Sequence, residues 1–183
     1  MVDDKEIPVP ITRLNHAVLY VRDLERSIAF YSDILGFSVV PMAPDGFAAA
    51  FPQAPASTND HDLGLFQIGP AVGDSDAGRS TVGLYHLAWE VDTLADLQQL
   101  MHTLQEHKAL VGASDHGTTK SLYGKDPDGL EFEIAWIVPA DLLDDSARAA
   151  RTSIGRLDLE REMRRYGPDT PGGVGISRPQ PAV

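Results

Sequence analysis

Two histidines and one glutamate are the residues in this sequence best suited to chemistry. His16 lies in Leu14-Asn15-His16-Ala17-Val18-Leu19-Tyr20-Val21, and His86 lies in Leu84-Tyr85-His86-Leu87-Ala88-Trp89-Glu90-Val91, a similar run 70 residues further on. Side chains alternate faces along a strand, so His16 shares a face with Val18 and Tyr20, and His86 shares one with Ala88 and Glu90. The repeat puts both imidazoles at equivalent places, and a two-fold-like arrangement of the units would bring them together. Glu133 sits within Phe132-Glu133-Ile134-Ala135-Trp136, where an ionised carboxylate is costly unless it meets a cation or metal. Two neutral imidazoles and a carboxylate suit a divalent metal, with Fe(II) favoured if three cis positions stay open. Taken singly, a strand histidine is more often a packed or half-exposed residue and a strand glutamate a solvated one. The metal reading rests on their combination.

The elements that must position these residues follow from hydrophobic spacing. Leu24, Ile28, Tyr31 and Leu35 form one helical stripe, and Leu94, Leu97, Leu100, Met101 and Leu104 form another. Each follows a histidine-bearing strand, and Gly36 suits the end of the first helix. Short strands come next: near 38–41, 47–51 and 63–68 in the first unit, and near 109–111, 118–123 and 130–138 in the second. Asp126-Pro127-Asp128-Gly129 has the composition of a type I turn, so the last two strands should form a hairpin. The order β-α-β-β-β, used twice, predicts an α+β fold of two modules. The segments are an N-terminal arm 1–10, a first module 11–70, a Gly/Asp/Ser-rich linker 71–82, a second module 83–138 and a tail 139–183. Within the tail, 141–166 is charged and helix-compatible with sparse apolar anchors, and its Arg161, Arg164 and Arg165 suit a helix C-terminus. Its Pro/Gly-rich end, 167–183, reads as extended or mobile. The helix should pack on the domain or on a second subunit.

Composition narrows the function. The 183 residues include 15 Lys+Arg against 27 Asp+Glu, a formal net charge of -12, which opposes binding to phosphate backbones. The apolar runs are all shorter than the ~20 residues of a membrane-spanning helix. Met1 to Pro10 is acidic, carries Pro8 and Pro10, and does not read as a signal peptide. With no cysteine there is no thiolate site or disulfide. These features point to a cytoplasmic protein with a small-molecule partner rather than a nucleic acid or membrane.

The sequence resembles the vicinal oxygen chelate superfamily, which contains glyoxalase I, bleomycin-resistance proteins, fosfomycin-resistance enzymes and type I extradiol dioxygenases. The residues that carry the resemblance are Leu14-Asn15-His16, Phe30-Tyr31-Ser32-Asp33-Ile34-Leu35-Gly36-Phe37, Gly83-Leu84-Tyr85-His86-Leu87-Ala88-Trp89 and Asp126-Pro127-Asp128-Gly129-Leu130-Glu131-Phe132-Glu133, spread over roughly 11–138. The resemblance implies paired modules forming a cupped mixed sheet around a metal held by His16, His86 and Glu133. Glu133 is preferred to Glu131 because the family's ligand falls four residues after the turn glycine, Gly129.

The resemblance also bears on the reaction. Isomerases of this superfamily take a fourth ligand from the last strand of the first module. Here the 70-residue offset from Glu133 lands on Leu63, and only Gln67 nearby could ligate. His61 looks like the extradiol acid-base histidine, Tyr123 like the substrate-binding tyrosine, and His116 like a further pocket histidine. The imidazole of His61 could take and return protons, and Tyr123 could donate to a substrate oxygen. The plainer reading makes His61 and His116 solvated loop residues and Tyr123 a packed aromatic; His102 and His107 read as surface residues. The expectation is therefore an Fe(II) enzyme, with Mn(II) or another divalent metal as variants. It would cleave a catechol-like aromatic with O2 as a homodimer. The alternatives are a glyoxalase-type isomerase or lyase, an antibiotic-modifying enzyme, or a non-catalytic drug-binding module.

Overall fold

The structure, a computed structural model, describes residues 11, 13–42 and 45–173. The expected arm 1–10 and the residues from 174 onward lie outside the described residues. The first module runs β1 (Ala17–Val21), α1 (Leu24–Ala29), β2 (Ser38–Val40), β3 (Ala49–Gln53) and β4 (Leu63–Gln67). The second runs β5 (His86–Glu90), α2 (Leu94–Glu106), β6 (Leu110–Asp115), β7 (Thr119–Lys125) and β8 (Glu131–Ile137). Each module is a mixed sheet, with strand orders β1-β4-β3-β2 and β5-β8-β7-β6; in both, the first strand pairs in parallel with the last. The α+β architecture of two βαβββ units is thus present.

Local sequence explains the elements. Asp23 caps α1 by accepting the Arg26 N–H at 3.0 Å, and Thr93 and Asp96 form a reciprocal capping box on α2. The first helix does not continue as one α stripe. Phe30–Ile34 widens into a π-helical turn that buries Phe30 and Tyr31 side by side, and Gly36 leaves it at φ 77°. The Phe30 ring lies 5.9 Å from that of Phe132, and the Tyr31 hydroxyl donates to Asp126 at 3.2 Å, so the helix of one module closes on the strands of the other. Arg22 completes the joint, donating to the Asp128 carboxylate at 2.9 Å and to Asp74 in the linker at 2.6 Å. The expected hairpin at Asp126–Gly129 joins β7 and β8, with Gly129 at φ 82°.

Leu19, Val21, Leu63 and Leu65 of the first sheet join Leu122, Phe132, Ile134 and Trp136 of the second and Leu94, Leu97 and Leu104 of α2 in a single core. Alternation then leaves the opposite face of each sheet open: Val18 and Tyr20 are 54% and 70% exposed, and Ala88 and Glu90 are exposed.

The tail departs from the expected continuous helix over 141–166. It forms a 3-10 turn (Ala140–Leu142), α3 (Asp145–Ala150), a short β9 (Gly155–Arg156) and α4 (Leu159–Tyr166). The Thr152-Ser153-Ile154-Gly155 run ends α3: Ser153 Oγ bonds the Ala150 carbonyl at 2.9 Å, and Gly155 enters β9, which pairs with β6. Among the described residues no helix is long and apolar enough to cross a membrane.

Candidate functional site

The parallel pairing of β5 with β8 sets His86 opposite Glu131 and Ala88 opposite Glu133. His86 and Glu133 are therefore diagonal neighbours on the open face. Their side chains converge, His86 Nε2 lying 3.1 Å from Glu133 Oε2. Glu131 faces the same way at the first position of β8; of the two carboxylates, Glu133 is the one that meets His86. Tyr123 of β7 stands directly across from Glu133, with its ring 5.9 Å from that of His86. The His116 Nε2 lies 2.9 Å from the Tyr123 hydroxyl. Burial, reinforced by the nearby Glu133 charge, raises the Tyr123 phenol above its ordinary pKa, so it remains an O–H donor.

His16 and His61 meet beside the first sheet: His16 is exposed and immediately precedes β1 instead of lying within it as expected, and His61 lies in the loop two residues before β4. The His16 ring lies 4.5 Å from that of His61, which in turn sits edge-on to Phe51 at 5.1 Å. Two residues that sequence reasoning passed over hold this pair. Asp62 is buried and accepts from the Ala54 N–H, Ser57 Oγ and Asn59 Nδ2 at 2.7–2.8 Å, which shapes the loop leading to His61. Asn59 Nδ2 also donates to the Asn15 carbonyl at 2.8 Å, tying that loop to the residue before His16. The available signal was a cluster of Ser, Asn and Asp just ahead of an apolar strand. His102 and His107 are exposed on α2 and at its end, as expected.

The candidate residues thus form two groups: His16 with His61, and His86 with Glu133, Tyr123 and His116. Among the described residues no three His, Asp or Glu side chains stand where they could hold one ion. The second group nevertheless suits a metal in part. Two cis ligands each ~2.1 Å from an ion lie ~3.0 Å apart, close to the His86–Glu133 separation. His86 Nδ1 is also buried with no hydrogen-bond partner among the described residues. Imidazole nitrogen plus carboxylate oxygen is a suitable donor set, lacking a third member.

A fourth ligand from the first sheet has no candidate at the matching place. The 70-residue offset had pointed to Leu63, but β1–β4 pairing matches Val18, the counterpart of Ala88, to Gly64. The position of Glu133 is occupied by a residue without a side chain. Gln67 is engaged elsewhere, its Oε1 accepting the Leu24 N–H at 2.8 Å.

The chain belongs to the Glyoxalase/Bleomycin resistance protein/Dioxygenase superfamily, whose family model matches residues 13–134. Members of the superfamily bind divalent metals and include dioxygenases, lyases and fosfomycin-resistance enzymes. The chain is 30% identical over 123 residues to the catechol-2,3-dioxygenase of Bacillus subtilis, covering 67% of this chain and 41% of that one. It is 36% identical over 126 residues to the biphenyl-2,3-diol 1,2-dioxygenase 3 of Rhodococcus globerulus, covering 67% and 62%. It therefore spans less than two thirds of either curated relative. A crystal structure of a glyoxylase/bleomycin resistance protein/dioxygenase domain from Frankia sp. EAN1pec superposes at a TM-score of 0.56 with 22% identity, covering 69% of this chain and 92% of that one, a likeness in fold.

Proposed function

We propose that this protein is an Fe(II)-dependent extradiol dioxygenase that opens a catechol-like ring with O2, and that its metal site is completed between two copies of the chain. The observation that carries this reading is the open-face cluster in which His86 and Glu133 converge at 3.1 Å beside the Tyr123–His116 pair. His86 and Glu133 of one copy and His16 of the second would be the three ligands. Bound iron(II) supplies a Lewis acid with open positions for a diol and for O2. The remaining roles belong to the chain. Tyr123, a protonated phenol, donates to a substrate oxygen while His116 holds its hydroxyl in place. His61 travels with His16 and serves as the proton acceptor and donor for the diol. The carbon–carbon bond beside the diol breaks and both oxygen atoms enter the product, so no external reductant is needed.

The two ring-cleaving relatives support the oxygen chemistry. The glycine at the Glu133-equivalent position and the engaged Gln67 favour three protein ligands over the four of an isomerase. The exposed Val18 and Tyr20 beside His16 supply an apolar face for the second copy, and dimers are the commonest symmetric assembly. The test is to load the protein with Fe(II) without oxygen, add a panel of catechols and admit air. Yellow ring-opened products are expected. Colourless mixtures across the panel from iron-loaded protein would overturn the assignment.

A further inference from the structure

We propose that Lys120 and Glu162 are positioning residues for His116, so that the tail beyond the family-matched residues 13–134 sets the geometry of the second sheet's open face. The inference rests on the reading that His116 and Tyr123 face the substrate.

Lys120 points to the side of β7 opposite Tyr123 and is fully buried. An ammonium has three N–H donors. Lys120 Nζ donates to Asp115 Oδ1 at 2.5 Å and to the Gly117 carbonyl at 3.2 Å, and forms an ion pair with Glu162 Oε2 at 2.9 Å. The first two flank His116 in sequence, and the third comes from α4. Glu162 is itself fully buried and accepts from Arg161 Nε at 2.8 Å, while Arg161 Nη2 reaches the other oxygen of Asp115 at 3.3 Å. The Tyr166 ring lies 5.7 Å from Lys120 Nζ.

Two more parts of the tail close on the same turn. β9 pairs Gly155 with Asp115, and α3 packs so tightly on Gly117 (φ 75°) that a Cβ there would lie 2.3 Å from the Ala147 carbonyl. The backbone on both sides of His116 is therefore held from the tail, and its imidazole reaches Tyr123 from that fixed base. A buried ion cluster of this kind is a poor source of net stability, because desolvation offsets the attraction. What it can supply is a single geometry.

The test uses the full chain, metal-free and labelled with 15N-histidine, so that the His116 ring nitrogens are read by NMR. Tyr123→Phe gives the signature of a lost Tyr123–His116 contact. Glu162→Gln and the double exchange Lys120→Met/Glu162→Met are expected to shift the His116 resonances towards that signature. The double exchange removes both fully buried charges and leaves Asp115 its contact with Arg161, so its melting temperature is read alongside to show that the variant is folded. Leu104→Ala, in the core of α2, should lower the melting temperature and leave His116 unmoved. If Glu162→Gln does not fold, the double exchange decides. His116 resonances coinciding with wild type would overturn the proposal. The readout needs no turnover, so a protein that opens no ring would remove the functional reading and leave this one measurable.

Discussion

Gly64 occupies in the first sheet the register position that Glu133 occupies in the second, each lying opposite the residue two beyond a histidine. The two modules are thus alike in strand pairing and unlike in what they can give a metal. In the proposed ligand set the first would offer imidazole alone, and the carboxylate would come from β8. Glu133→Ala should therefore find no substitute within the first sheet. After loading with Fe(II) or Mn(II) and desalting, elemental analysis should fall from about one metal per site to background, since a catalytic site keeps few protein ligands to begin with. Retention of stoichiometric metal would remove Glu133 from the ligand set.

A site shared between copies has a genetic signature. His16→Ala and His86→Ala should each be inactive alone. Mixed dimers place both lesions in one site and leave the other intact, so co-refolding equal amounts should restore about a quarter of wild-type activity. No recovery, with hybrid dimers demonstrated by mass, would place the site within one chain.

Tyr123→Phe keeps the ring and removes the hydroxyl that meets His116. Metal content should not change, and kcat should drop by about 100-fold, the usual scale for losing one positioned donor. An unchanged kcat would make Tyr123 a packing residue.

Acid should loosen the tail. Burial pushes the Asp115 carboxyl up, but the Lys120 hydrogen bond, the Gly117 N–H and the charges of Lys120 and Arg161 outweigh it and hold it below the usual carboxylate range. A carboxyl with a depressed folded pKa gives its full stabilisation above the unfolded pKa and loses it as pH falls through the folded one. Trp136 packs on Tyr166 and donates to the Thr170 carbonyl at 3.2 Å, so its fluorescence should report the change below about pH 4. Asp115→Asn should flatten that pH dependence and cost about 1–3 kcal/mol at neutral pH. A variant as acid-sensitive as wild type would exclude Asp115 as the source.

Much of this was legible in the residues. The helical stripes, the strand carrying His86 and the Asp126–Gly129 turn depend on local spacing, and they lie within a few residues of where that spacing put them, whereas His16 falls just ahead of its strand. The equivalence of Gly64 and Glu133 was missed by one position because loops of unequal length separate the paired strands, and a fixed offset cannot register that. The role of Lys120 was hidden for another reason. A strand lysine reads as solvent-facing until Glu162, far along the chain, is known to arrive beside it. The grouping of His16 with His61, away from His86, depends on how two open faces are disposed, which no local pattern encodes.

β9 is only two residues long, yet it lies along the outer rim of β6. It covers the Ser114–Asp115 end of that rim, whose amide and carbonyl groups would otherwise stand open to a passing strand, an invitation to edge-to-edge polymerisation. A chain cut just after β8 would lose that cover and be expected to collect in inclusion bodies, however well its two modules could fold.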